Sequence, residues 1–283
     1  MKVAVFGRTG QVALALSRHQ SASLEITPLG REAADFTRPD DVAAATAELD
    51  ADVIINAVAY TAVDAAEGDT ETARLINATS VARMASVAAD RDIPLVHIST
   101  DYVFDGSGTD PRKPGHPTAP LGVYGATKLE GEEAIQRAGG RFAILRTSWV
   151  FSQDGNNFVK TMLRLTETRD ALNVVSDQIG GPTSASAIAG ASITVAEALR
   201  SGAKGGVFHL SGSPDVSWAE FAREIFRQAG RDVTVNDIPT TAYPTPATRP
   251  LNSRLDCETL ETEFGIVRPD WRRDLALVLK ELL

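Results

Sequence analysis

The chain opens with a short strand-like run, KVAVF (2–6). It passes straight into Gly7-Arg8-Thr9-Gly10-Gln11-Val12-Ala13 and then a helical stretch to about His19. A strand, a glycine-rich turn and a helix in that order form the first half of a βαβ unit. The Gly-x-x-Gly-x-x-Ala spacing is a variant of the dinucleotide fingerprint, with a mild departure of Ala for the third Gly. Gly7 permits the tight turn, Gly10 lets backbone approach a pyrophosphate, and the small Ala13 lets helix and strand pack closely. A pyrophosphate would sit on the free amides at the start of the helix.

The same rhythm continues along the first half of the chain. A second strand at Leu24–Leu29 ends in Gly30-Arg31, and Asp35-Phe36 precede a helix over about 38–49. The turn at 35–36 lies near the adenine in a nucleotide-binding sheet. Asp52 to Thr61, DVIINAVAYT, reads as a strand buried on both faces, and its end is built of small residues that leave room for a ligand. A helix is expected over 70–90, a strand over 93–98, a helix from about 124 and a strand over 142–149. Strand and helix alternate five times within 150 residues, which predicts an α/β fold with a doubly wound, parallel, Rossmann-like sheet. About twenty residues past the fingerprint, a carboxylate would bond the ribose of NAD, whereas an arginine accommodates the phosphate of NADP. Arg31, helped by Arg8, therefore points to NADPH as the cofactor, with NADH left open as a second donor.

Residues 93–131 carry the candidate chemistry. The apolar run ends in Ser99-Thr100-Asp101-Tyr102, a Gly/Pro-rich loop of about twenty residues follows, and a helical pattern then opens with Tyr124 and Lys128. Residues four apart share a helix face. An ammonium beside a phenol favours the phenolate, so Lys128 is expected to lower the Tyr124 pKa and make it a general acid. Thr100, leaving the strand's carboxyl end, is positioned to hold a carbonyl oxygen at the same point. Tyr-x-x-x-Lys alone is also an ordinary amphipathic pattern; its context gives it weight. Asn77 reads equally well as an interior polar residue or as a support for the site.

A net charge of −9 argues against a nucleic-acid surface. Hydrophobic and charged contents of 43% and 23% are those of a globular protein. Cys257 is the only cysteine, which excludes disulfide frameworks and cysteine zinc sites. His19, His97, His116 and His209 lack ligand spacing and read as packing or surface residues, and no metal site is expected. No apolar run reaches membrane-spanning length. No targeting segment precedes the first strand, so the cytoplasm is the expected location.

After Trp149 the rhythm changes. Helices are expected near 158–168, 185–200, from a Ser217 cap to about 229, and over 272–283, with a short strand at 207–210. The proline-rich stretch 239–256 reads as an extended loop covering substrate. Residues 1–150 form the expected nucleotide-binding domain, with segments near 185–212 returning to it. Residues 151–283 form a smaller, interleaved substrate-binding part.

With fingerprint, small-residue strand end, STDYVFDG (99–106) and VYGATKLEGE (123–132) in this order, the chain resembles the extended short-chain dehydrogenases/reductases. RTSWV (146–150), GNNF (155–158), DQIGGPT (177–183) and YPTPATRPLNSRLD (243–256) narrow the resemblance to the dTDP-4-dehydrorhamnose reductase family. That resemblance implies hydride transfer from NADPH to carbon 4 of dTDP-4-dehydro-6-deoxy-L-mannose, giving dTDP-L-rhamnose, the last step of dTDP-rhamnose biosynthesis. It assigns Tyr124 as proton donor, Lys128 to the nicotinamide ribose, and Thr100 as the third member of the set. It further implies that Gly10, Gln11, Val12, Asp35, Phe36, Ala59, Tyr60 and Thr61 line the cofactor. Thr100, Asp101, Tyr102 and Trp149 would contact the sugar, and Arg249 and Asn252 the substrate diphosphate. Some members dimerise through a magnesium ion held by glutamates; here the first helix has no acid, so a magnesium bridge is not expected and the chain reads as a monomer or weak homodimer. The acid that often follows the second strand in members using either cofactor is replaced by Gly30-Arg31. The competing readings are a non-catalytic regulatory subunit of a synthetase, against which the intact Tyr, Lys and Thr stand, and a sugar-nucleotide epimerase that retains its NAD.

Overall fold

The computed structural model describes residues 1–283. Six strands, β1 (Lys2–Phe6), β2 (Glu25–Leu29), β3 (Val53–Asn56), β4 (Leu95–Thr100), β5 (Phe142–Thr147) and β6 (Gly206–His209), form one sheet in the order β6-β5-β4-β3-β1-β2. Every neighbouring pair is parallel. The chain starts at β1, steps outward to β2 and crosses back to β3, so the strand order reverses between β1 and β3. Loops leaving the carboxyl ends of strands diverge at such a point and leave a crevice.

Alternating side chains of the strands feed two separate cores. Val3, Val5, Val53 and Ile55 face Ala13 and Leu16 of the first helix (Gln11–Ser17), together with Ile188, Val195 and Leu199 of the helix Ala185–Arg200. Phe6, Ile54 and Ile144 face the other way, onto Val42, Met84 and Ile135. This is an α/β sheet covered on both faces, which is why its strands read as continuous apolar runs. A third core gathers Phe151, Val159, Phe221, Ile225, Trp271 and Leu275, all from beyond residue 150. Helix 185–200 and strand β6 belong to the sheet rather than to this third core.

Several boundaries differ from those expected. The helix over 70–90 is three pieces: Thr70–Arg74, a π-helical turn Leu75–Thr79, and Ser80–Asp90. The wider turn places Asn77 fully inside, where it accepts from the Tyr60 amide at 2.8 Å and donates to Thr127 Oγ1 at 3.1 Å. Asn77 thus ties the end of β3 to the helix Val123–Ala138. Ala171–Val175 and Thr234–Ile238 pair as parallel strands, and Glu258–Phe264 is a helix. None of these was apparent in the sequence, because each is short and the paired strands lie far apart in the chain. Ser217 caps its helix in a reciprocal capping box with Glu220.

The helix carrying Tyr124 lies unusually close to backbone. A methyl group at Gly125 would strike the Tyr102 carbonyl, and one at Gly131 the Asn77 carbonyl. Glycine at these two positions lets that helix pack closely on the turn after β4 and on the π-helical turn. No helix is long and apolar enough to cross a membrane.

Candidate active site

Three cavities share walls and make one groove over the carboxyl ends of the strands. The first, about 400 Å³, is bounded by Gly7, Arg8, Gly10, Arg31, Asp35, Phe36 and Ala59. Gly10, Ala57, Val58 and Ala59 also border the second, about 470 Å³, which contains Gln11, Val12, Thr61, Thr100, Asp101, Tyr124, Lys128 and Trp149. Tyr102 and Trp218 join this to the third, about 730 Å³, between Asp64, Phe158, Gln178, Tyr243 and Arg249. The groove runs from the β1–β2 edge, across the fingerprint, to the part built from residues beyond 150.

Its first end is shaped for a nucleotide. Gly7 has φ of 117°, a left-handed value that glycine alone adopts freely, and a methyl at Gly10 would meet nothing within 4 Å. Backbone at the helix start is therefore open to a ligand. Asp35 accepts from the Thr37 amide and hydroxyl at 2.9 and 2.7 Å and from Arg31 Nε at 3.1 Å. The Thr37 bonds, more than the arginine, hold its carboxyl down at about 2. Arg8 is not free to help Arg31: it pairs with Glu32 at 2.5 Å. A carboxylate does follow β2 after all, one residue beyond Arg31, and the sequence reading passed over it. One sequence-based placement at this end also differs. Tyr60 turns its ring away, its hydroxyl reaching Asp69 at 3.4 Å, and only its backbone stays at the strand end.

The middle of the groove brings Tyr124, Lys128 and Thr100 together. Thr100 ends β4, and its hydroxyl accepts from the Tyr102 amide and donates to Asp101, each at 3.2 Å. The Tyr124 ring meets Tyr102 edge-on at 5.5 Å. Burial pushes the Tyr124 hydroxyl up to about 12; the Thr100 hydroxyl pulls it down and Asp101 pushes it further up. The expected lowering by Lys128 is absent. Lys128 Nζ makes no bond to Tyr124 and is held instead by the Ile98 carbonyl at 2.7 Å and His97 Nε2 at 3.0 Å. Lys128 is itself only 1% exposed, and burial brings it down to about 8. Desolvation of both groups outweighs an attraction that helical spacing alone appeared to promise. Burial likewise lifts the Asp101 carboxyl to about 6.

The outer end is aromatic. Trp149 has φ of 50°, a strained value for a bulky side chain. That backbone aims its ring onto Trp218, with centroids 3.7 Å apart and planes at 12°. Trp218 Nε1 donates to Gln178 at 3.1 Å. Trp218 and Gln178 are wall residues that sequence reasoning missed; Trp218 showed only as the first residue of a capped helix. The loop beyond residue 242 is latched by Arg249 Nη2 to Asp64 at 2.6 Å. Asn252 is not in the groove: its amide donates to the Asp110 carbonyl at 2.9 Å and its oxygen accepts from the Arg254 amide at 3.2 Å, a structural task.

Five buried side-chain atoms lack a hydrogen-bond partner; Arg112 Nε and His209 Nε2 lie elsewhere, and the other three are Asp101 Oδ2, Thr147 Oγ1 and Arg249 Nη1. All three belong to residues lining the groove. Orphaned polar atoms are costly, and their concentration here marks a surface completed by a polar ligand.

The model of the RmlD substrate binding domain family matches residues 1–283. A dTDP-4-dehydrorhamnose reductase of Sinorhizobium fredii is 45% identical over 290 residues, covering 100% of this chain and 98% of its own. The crystal structure of a dTDP-4-dehydrorhamnose reductase from Clostridium acetobutylicum superposes with a TM-score of 0.94 at 36% identity, covering 100% and 99% of the two chains. That of the Bacillus anthracis dTDP-4-dehydrorhamnose reductase, in complex with NADP, gives 0.93 at 33% identity over 99% of each.

Proposed function

The chain belongs to the dTDP-4-dehydrorhamnose reductase family, and from that membership we propose that it reduces dTDP-4-dehydro-6-deoxy-L-mannose to dTDP-L-rhamnose with NADPH. The continuous groove, with Tyr124, Lys128 and Thr100 at its middle, is the observation that carries this reading. Its two ends suit two nucleotides, one on the Rossmann-like part (1–150 with 185–212) and one on the part built mainly from 151–283.

The bound nicotinamide supplies a hydride to carbon 4 of the sugar. Tyr124 gives its phenolic proton to the oxygen on that carbon as negative charge develops there, and the Thr100 hydroxyl holds the same oxygen. Donors fixed in advance at a site of developing charge contribute most at that moment. Lys128 takes the nicotinamide ribose, and the amides of Gly10, Gln11 and Val12 take the cofactor diphosphate. Gly7, Asp35, Phe36, Ala59 and Thr61 complete the cofactor's wall. Asp101, Tyr102 and Trp149, with Trp218 behind it, wall the deoxysugar and exclude water. Arg249, through its unpartnered Nη1, meets the substrate diphosphate.

Mixing the purified chain with NADPH and the keto-sugar nucleotide is expected to oxidise one NADPH per dTDP-L-rhamnose formed. An epimerase would show no net consumption, and a regulatory subunit would bind NADPH without turning it over. The enzyme would act in the cytoplasm on a small dTDP-sugar, as a monomer or weak homodimer.

Arg31, bordering the first cavity and mostly exposed, is assigned to the 2′-phosphate of NADPH. One charge-assisted contact of about 1.4 kcal/mol corresponds to roughly tenfold. Arg31→Ala should therefore raise the NADPH KM about tenfold and leave the NADH KM nearly unchanged. Equal KM values for the two cofactors in the parent chain would refute the assignment.

A further inference from the structure

His97 has no task in the chemistry above, yet it is fully buried in the middle of β4 between Val96 and Ile98 and touches Lys128. Its other nitrogen, Nδ1, lies 3.0 Å from Nδ2 of Asn56, its register partner on β3. Asn56 is also fully buried, and its orientation is fixed by its oxygen, which accepts the Val58 amide at 3.0 Å. The nitrogen of that amide must then face His97 as a donor, and Nδ1 must accept. A neutral imidazole carries one hydrogen. With Nδ1 accepting, the hydrogen sits on Nε2 and points at Lys128 Nζ, 3.0 Å away.

An N–H aimed at Nζ needs a lone pair there. An ammonium has none, so the arrangement fits the uncharged amine, which accepts from His97 and donates to the Ile98 carbonyl at 2.7 Å. We propose that His97, clamped by Asn56 in its Nε2–H form, is a positioning residue that favours the neutral amine of Lys128 over the ammonium in the free cleft. Above about pH 8, cofactor binding is then coupled to proton uptake by Nζ. The proton comes from solvent and bonds to the nitrogen lone pair. That contact with His97 is lost, and the ribose hydroxyls of the anionic cofactor would take over the charged group. The inference rests on the cofactor-binding reading above.

The surroundings agree. Burial above all drives His97 well below the usual histidine range, so the ring stays uncharged. Lys128 faces His97 and the Ile98 carbonyl from β4, Tyr124 and Glu132 from its own helix, and Asp101 and Tyr102 from the turn after β4. Glu132 is the one group that raises Lys128, and its carboxylate is already occupied by Arg146 of β5 and Ser99 of β4. Burial, the larger cause, brings the amine down to about 8.

Calorimetric titration of NADPH into the full chain at a pH about one unit above that value, in two buffers of different ionisation enthalpy, reads the proton count directly. Most of one proton should be taken up per cofactor, and the NADPH Kd should rise toward tenfold per pH unit above about 8. His97→Gln offers an oxygen to the ammonium, and Asn56→Asp would accept from Nδ1–H and turn Nε2 into an acceptor. Both replace the opposing donor by an acceptor, which favours the ammonium, so uptake should fall below about half of the parent value in either. Failure of NADPH to bind at all would count against the cofactor assignment. Binding without proton uptake in the parent, or with unchanged uptake in whichever variant folds, would overturn the role of His97.

Discussion

Replacing Tyr124 by phenylalanine is expected to lower turnover by at least about 100-fold while NADPH still binds, because general-acid assistance contributes roughly 10²–10⁴-fold. The substitution removes one oxygen from the wall of the groove. The ring keeps its edge-on contact with Tyr102 at 5.5 Å, and Lys128 keeps its bonds to Ile98 and His97, neither of which involves the phenol. Loss should therefore appear in kcat, with the cofactor Kd little changed. Burial favours the protonated phenol in the free cleft, so the residue enters the reaction with its proton in place. The driving force to release it arises only as charge builds on the sugar oxygen. Loss of NADPH binding with turnover per bound complex intact would contradict this role.

Breaking the buried ion pair beneath the site should give the largest loss of stability. Glu132 and Arg146 have side chains 0% and 4% exposed, joined through Arg146 Nη2 at 2.6 Å and Nε at 3.0 Å. Ser99 donates to the same carboxylate at 2.5 Å, and Arg146 Nη1 donates to the Pro114 carbonyl at 3.1 Å. One cluster thus joins β4, β5, the helix bearing Tyr124 and the loop that precedes it. Glu132→Leu would leave a guanidinium buried without its counter-charge, at a cost of about 3–5 kcal/mol. In a chain of this size that lowers Tm by roughly 10 °C. The pair itself is not the source of the loss; the uncompensated charge is. Glu132→Leu with Arg146→Met should accordingly recover most of the stability. Thermal unfolding of the two variants checks this, and a double variant no more stable than the single one would show that the pair is strongly favourable in its own right.

The alternation of strands and helices along the first half of the chain was legible because each strand buried on both faces leaves a continuous apolar run, and because the glycine turn fixes where the first unit begins. Tyr124, Lys128 and Thr100 were legible for a local reason: helical spacing and a strand end set their positions. What the sequence did not show was anything decided by side-chain direction or by burial. Tyr60 and Asn252 stand in the right loops, but their side chains turn to Asp69 and to the Asp110 carbonyl. Trp218 and Gln178 reach the groove through contacts between segments far apart in the chain. The contact of His97 with Lys128 depends on how β4 and the later helix are packed, and a lone histidine in an apolar run gives no sign of it. The effect of Lys128 on Tyr124 was misjudged because spacing gives proximity along a helix and says nothing about desolvation.

A crystal structure of the chain with NADP⁺ and dTDP-L-rhamnose bound is the most direct measurement. The diphosphate of the cofactor should lie over the amides of residues 10–12, with the nicotinamide and carbon 4 of the sugar meeting beside the Tyr124 hydroxyl and Thr100. A nicotinamide placed at the Arg31 end, or a sugar whose carbon 4 oxygen has no contact with Tyr124, would contradict the proposed site.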